Sequence, residues 1–418
     1  MLINLDQNDQ YIGMEAAYLS ARDAAARLGI SLASLYAYVS RGKVDSRPGP
    51  DGRSREYRAD DIERLIERRQ AGRGAAQGAA HSLTWGLPVL ETRISLIRPQ
   101  GHYYRGRSAI ELARDGATLE DAARLLWACG DNDPFAAPPP TAWPPPVQGL
   151  LRHRALPPLE RTAAALPLLA LAAPDAHSIH PQQRREGAAR LLRETAALLA
   201  AARPGRRPIH QQLAATWQSH QPHVPDLLRS ALVLCADHEL NASAFATRVA
   251  ASTGASLHAA ACAGLAALSG PQHGGATARA HALLRQAMRA RHPEDDIRER
   301  LRRGDDLPGF GHPLYPDGDP RAALLLEMLA AARPRLPGMS RIRRLVDAAA
   351  ASGGRAPSLD FALAAIALLH DQDAGAGLSL FAAGRMAGWL AHALEQQEAG
   401  GLIRPRANYA GALPARQR

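Results

Sequence analysis

Residues 188 to 203 read AARLLRETAALLAAAR, a run without glycine or proline. Alanine, leucine, arginine and glutamate are all strong helix formers, so such a run points to helix rather than sheet. Similar helical patterns recur at 183–203, at 209–219 and, as PDLLRSALVLCA, at 225–236. Aromatic residues make up only 5% of the chain, which leaves the core to aliphatic side chains. The expected class is mainly α. At 418 residues the chain exceeds the roughly 250–300 residues at which one core stops growing, so more than one domain is expected.

A small separate unit occupies residues 1–70. In YLSARDAAARLGISLASLYAYVSRGKV, Ser20 caps an apolar-periodic helix ending at Gly29, and Ser31 caps a second helix carrying Leu35, Tyr36 and Val39. RPGPDGRSREYR then reads as a β-wing, and ADDIERLIERRQ as a further helix. This pattern resembles the winged helix-turn-helix of the MerR and excisionase type. The resemblance implies a second helix, about Leu32 to Ser40 with Ser34 on it, in the major groove of DNA, with Arg53, Arg55 and Arg58 reaching phosphates. Residues 1–70 hold 11 basic and 11 acidic side chains, a net charge of zero, and the basic excess is local to 41–58, with six basic against three acidic. An inherited fold used for packing or assembly fits those charges as well as DNA recognition does. Residues 71–83, small and glycine-rich, form a linker.

Beyond the linker, WGLPVLETRISLIRPQGHYYRGRSAIEL alternates apolar and polar residues and predicts short strands. GATLEDAARLLWACG predicts a helix with a capping arrangement at Thr118 and Asp121. DPFAAPPPTAWPPPV, residues 133–147, predicts a surface loop or strap, because prolines cannot donate helical hydrogen bonds. Cys129, Cys235 and Cys262 have no CxxC spacing and read as small buried hydrophobes in a reducing compartment, with no metal site. No run approaches about 18 uninterrupted apolar residues, so a soluble cytoplasmic protein is expected. The net charge of +10 is almost all arginine, with Lys43 the one lysine. Arginines that hold anionic substrates would contribute to it without any nucleic acid.

Three histidines between Asp237 and Arg321 stand in unusual contexts: His238 in ADHELNAS, His273 in GPQHGGA and His312 in GFGHPLYPDGDPR. Each has small or glycine neighbours that let backbone approach a ligand, and the Asp-Pro-Arg turn could aim a guanidinium at an anion. That grouping suggests a site for a small carboxylate. PSLDF at 357–361, FAAGR at 381–385, and RPR at 404–406 followed by Ala407, Asn408 and Tyr409 continue the pattern. In this order the six motifs resemble the citrate synthase family over about residues 84–418.

The resemblance implies a two-domain helical fold, with a large domain in 84–275 and 373–418 interrupted by a small domain at 276–372. It also implies condensation of an acyl-CoA, acetyl-CoA first and propionyl-CoA as the alternative, with oxaloacetate. Acetyl-CoA and CoA would be substrate and product, with no covalently bound cofactor. A thioester methyl is a weak carbon acid, so the site needs a carboxylate base and a donor where charge develops on the carbonyl oxygen. The resemblance places Asp360 as the base, His273 as the donor and His312 on the ketone. His238, Arg321 and Arg385 fall at carboxylate-binding positions and Phe381 in the substrate pocket. Arg404 falls at a position supplied by the neighbouring subunit, which implies a homodimer. A regulator that senses a ligand with this domain and binds DNA with the first is the reading from another class.

Taken singly, Asp360 also reads as a helix-capping aspartate after Ser358, Arg385 as a surface-helix charge and Arg404 as an exposed terminal arginine. Three places depart from the family pattern. Pro316 and Asp317 stand where a basic residue is usual, Thr277 where asparagine is usual, and Leu359, Ala362 and Leu363 replace the usual neighbours of Asp360. Drift around the coenzyme is the expectation they raise.

Overall fold

The computed structural model describes residues 18–40, 43–49, 54–59, 61–62, 65–66, 90–140, 142–152, 156–217, 221–332, 337–406 and 411. They divide into two compact units, the second running from Thr92 to Pro405. Each has its own hydrophobic core.

In the first unit, β1 (Tyr18–Ser20) leads into α1 (Ala21–Leu28), whose N-cap Ser20 accepts from Asp23 N at 3.2 Å. Gly29 ends α1 at φ 60°, a left-handed conformation that costs glycine little, and Ser31 then accepts from Ser34 N at the start of α2 (Leu32–Ser40). Strands β2 (Ser46–Pro48) and β3 (Arg55–Arg58) complete an antiparallel sheet in the order β1-β3-β2. Leu35 is fully buried with Ala24, Leu28 and Tyr57, while Leu32, Ser34 and Tyr36 on the same helix face solvent. On the wing, Arg55 is exposed and Arg58 half-buried, and Arg47 lies 3.8 Å over the Tyr18 ring and 2.9 Å from Glu56. Arg53 and the linker 71–83 lie outside the described residues.

The second unit opens with the expected strands, β4 (Ser95–Arg98), β5 (Gly101–Tyr104) and β6 (Arg107–Ser108), paired antiparallel. The helix Leu119–Leu126 begins with a complete capping box between Thr118 and Asp121. The proline tract differs from its expectation, because a helix, Pro145–Leu151, starts inside it. Prolines in a first helical turn lose nothing, since those N–H groups have no intrahelical partner. The tract is also anchored, with Phe135 and Trp143 at 7% and 6% exposure. The helix Pro181–Leu199 stops short of the expected 203, as Ala201 takes a positive φ of 52° ahead of Pro204 and Gly205.

Six helices bear on the histidine-rich motifs: α3 (Val224–Cys235), α4 (Ala242–Ser252), α5 (Gly275–Arg289), α6 (Pro320–Ala332), α7 (Leu359–Leu369) and α8 (Ala374–Ala399). Buried along most of its length, α8 packs directly on α3. Gly384 permits that approach, since a Cβ there would lie 2.7 Å from both Cys235 Cβ and the Leu232 carbonyl. Close packing presents Arg385 of α8 to the Cys235 carbonyl at the end of α3.

Candidate functional site

The chain leaves α3 through His238 and Glu239, the latter at φ 57°, and re-enters helix at Asn241, whose Oδ1 accepts from Ser243 N and Ala244 N at 3.1 Å. This sharp turn sets His238 in the interior. Its Nε2 lies 3.0 Å from Tyr315 Oη, and its ring meets His312 edge-on at 5.1 Å and His102 at 5.8 Å. His312 Nδ1 accepts from Leu314 N at 3.2 Å, so the neutral ring carries its proton on Nε2. Tyr104 Oη donates to the Val233 carbonyl at 2.8 Å and therefore accepts from His102 Nε2 at 3.1 Å. Among the described residues, buried His102 Nδ1 has no hydrogen-bond partner.

His273 Nε2 lies 2.8 Å from Ser243 Oγ. Trp389 Nε1 donates to that oxygen at 3.1 Å, and Asn241 Oδ1 is 2.7 Å away. A hydroxyl has one hydrogen, which Ser243 donates to Asn241 Oδ1, so its oxygen accepts from Trp389 Nε1 and from His273 Nε2–H. Ser243, Trp389 and His102 were not singled out from the sequence. Ser243 sits inside ADHELNAS, five residues after His238, and that proximity was the available signal.

All three motif histidines are held neutral. Burial, then the charges of Arg321 and Arg385, lowers His312 to about 4, and burial with Arg385 does the same to His273. Burial and Arg321 push His238 well below the usual imidazole range. At neutral pH these rings donate hydrogen bonds without carrying charge, as suits a carbonyl oxygen that becomes negative during reaction.

Arg321 and Arg385 are 3% and 2% exposed, so Arg385 is not a surface-helix charge. Arg321 meets Asp319 through two parallel bonds of 2.9 and 2.8 Å, and Asp319 Oδ2 accepts from Leu359 N at 2.9 Å. Burial pushes the Asp319 carboxyl up, but the Arg321 charge and hydrogen bonds hold it below its ordinary value. Asp319 thus ties the guanidinium to the helix that carries Asp360. Arg385 donates from Nε to the Cys235 carbonyl at 2.8 Å and lies 4.6 Å over Phe381, whose ring meets His273 at 6.1 Å.

Asp360 lies in the first turn of α7, half-buried, and accepts from Thr277 Oγ1 at 2.5 Å. Protein packed around the carboxyl raises its pKa, with Thr277 and Arg321 opposing. Its neighbour Ser358 donates to the Gly309 carbonyl at 3.0 Å. Thr277, Leu359, Ala362 and Leu363 are 1%, 3%, 0% and 0% exposed, so these departures lie in the packed core. Pro316 and Asp317 are exposed. Arg404 is exposed too, and no hydrogen bond or ion pair among the described residues ties it to the other site residues. The three cysteines are free, and no group of three His, Cys, Asp or Glu among the described residues could hold a metal.

The family model described as citrate synthase, C-terminal domain, matches residues 82–406, and one described as helix-turn-helix domain matches 18–70. Citrate synthase 2 of Bacillus subtilis is 33% identical over 271 residues, 61% of this chain and 73% of its own length. 2-Methylcitrate synthase of Shewanella oneidensis is 34% identical over 190 residues, 44% and 50% of the two chains. Citrate synthase from Thermotoga maritima superposes with a TM-score of 0.64 at 24% identity, covering 80% of this chain and 96% of that one. A citrate synthase from Thermoplasma acidophilum, solved as a ternary complex with carboxymethyl coenzyme A and oxaloacetate, does so with 0.64 and 24%, covering 79% and 96%. At these identities the two structures are similar in fold.

Proposed function

Because the chain belongs to the citrate synthase family and is an enzyme of that type, we propose that it joins the methyl carbon of acetyl-CoA to the keto carbon of oxaloacetate, then hydrolyses the thioester to citrate and CoA. The observation that carries this reading is the grouping of three neutral imidazoles with two buried guanidiniums. Asp360 takes a proton from the thioester methyl while His273 donates to the thioester oxygen. The enol carbon attacks the ketone, and His312 protonates the oxygen that becomes the tertiary alcohol. His238, Arg321 and Arg385 hold the oxaloacetate carboxylates beside Phe381, and water then cleaves the acyl-CoA. Release of CoA from acetyl-CoA that requires both oxaloacetate and Asp360 is the expected result; release independent of either refutes the reading.

A second acyl chain is favoured by relatives named 2-methylcitrate synthase, which match at 34% and 31% identity. One methylene is discriminated by only about 1–3 kcal/mol, so propionyl-CoA belongs in the same assay. The small domain, 276–372, is proposed to close over the large one and exclude water. A homodimer sharing Arg404 is proposed, supported by the exposed position of that arginine and by Leu171 and Ile179, 87% and 75% exposed. No described helix is long and apolar enough to cross a membrane, in keeping with a cytoplasmic site of action. DNA is the proposed partner of the first unit, supported by its helix-turn-helix match and by Leu32, Ser34 and Tyr36 facing solvent on α2.

A further inference from the structure

Thr277 stands in the first turn of α5 and is 1% exposed. A helical threonine commonly returns its hydroxyl hydrogen to a carbonyl one turn earlier, as Thr247 does to Ser243 at 2.9 Å. Thr277 instead sends it to Asp360 Oδ1 at 2.5 Å. Helix α8 enforces that direction, since a Cβ on Gly377 would lie 2.8 Å from Thr277 Cγ2. The glycine leaves room for the threonine methyl and nothing more, and with the methyl seated there the hydroxyl faces α7.

We propose, on the reading of Asp360 as the base, that Thr277 is its positioning residue, pinning Oδ1 so that Oδ2 meets the acyl methyl, and that Gly377 sets the rotamer. The terminal torsion of an aspartate is broad and unpinned oxygens exchange readily, so one fixed oxygen aims the other. The same bond stabilises the ionised form, against the burial that raises this carboxyl. The charged groups around it are Arg321 and Asp319 at the start of α6 and Arg279 on α5.

The test uses the full-length protein with T277V, T277S, G377A and the double variant G377A/T277S. CoA release is measured against pH, and the carbon-13 shift of Asp360, assigned with D360N, is titrated in parallel. T277V is isosteric without the hydroxyl: the acid limb of kcat/KM should move up by about one pH unit and kcat fall about tenfold. T277S should keep the limb. G377A should resemble T277V, and G377A/T277S should recover to within about threefold of T277S, because the crowded methyl is gone. T277V with limb and kcat within about twofold of the parent, or a double variant no better than G377A, overturns the proposal. If the parent protein releases no CoA, the catalytic reading fails by itself. The carboxyl titration then decides the positioning separately, with an Asp360 that titrates identically in T277V counting against it.

Discussion

Arginine does opposite work in the two units. On the wing, Arg55 is exposed and the Arg47–Glu56 pair has side-chain exposures of 48% and 24%, whereas Arg321 and Asp319 pair at 3% and 1%. An ion pair in water contributes about 0–1 kcal/mol and fades with salt. A buried pair is weak evidence of stability, yet losing one partner costs about 3–5 kcal/mol, because a charge is left stranded. The net charge of +10 therefore describes no single property: some arginines are solvated and interchangeable, others are fixed instruments.

The sharpest way to break that contrast is at the fixed end. Asp360→Asn should reduce CoA release about 10³-fold, in the middle of the range for general-base loss, while oxaloacetate binding measured by calorimetry changes little. Turnover within about tenfold of the parent would remove Asp360 from the role of base. Next in size, Arg385→Lys should weaken oxaloacetate binding about 100-fold, because lysine supplies neither the Nε bond to the Cys235 carbonyl nor a planar fork. An exchange that leaves affinity unchanged would make Arg385 a packing residue.

Protons distinguish the units as well. His273 and His312 are lowered to about 4 and His102 to about 3, below the ordinary imidazole value of 6.5. The unfolded chain therefore binds protons first as pH falls, so stability present above about 6.5 is lost toward about 4. Glu194 works the other way, since burial lifts its carboxyl to about 7 and its folded form holds the proton between about 4.5 and 7. Residues 1–70 contain no histidine. In scanning calorimetry the melting of the second unit should drop between pH 6.5 and 4.5 and that of the first should move less, and Glu194→Gln should steepen the drop. Parallel shifts of both transitions would remove the histidines as the cause.

Much of this was legible in the chain. Helical class, strand hairpin and caps at Ser20, Ser31 and Thr118 follow from local chemistry that neighbouring residues state directly, whereas Arg385, buried in the structure, reads locally as a surface charge and was set apart only by the family resemblance. What stayed hidden depended on partners far along the chain. Thr277 and Asp360 are 83 positions apart, and Trp389 reaches Ser243 across 146, so nothing local announces that a hydroxyl at 277 faces a carboxylate. The proline tract misled for a different reason: proline forbids helix interiors but suits first turns, and composition alone does not say which position it holds.

The smallest effect lies at the solvated end. If the first unit binds DNA, Arg55→Ala should weaken binding only a few-fold, about equally on every sequence, and lower the dependence of log K on log salt by about one. A substitution on the exposed face of α2, Tyr36→Ala, should instead change which fragments shift in a gel, because base edges are read from a groove-bound helix. A unit with zero net charge has little non-specific attraction to fall back on, so retention confined to low salt, unchanged by either substitution, would turn the helix-turn-helix into a packing module. The contrast between the two sets of arginines would then become one between a working site and a scaffold.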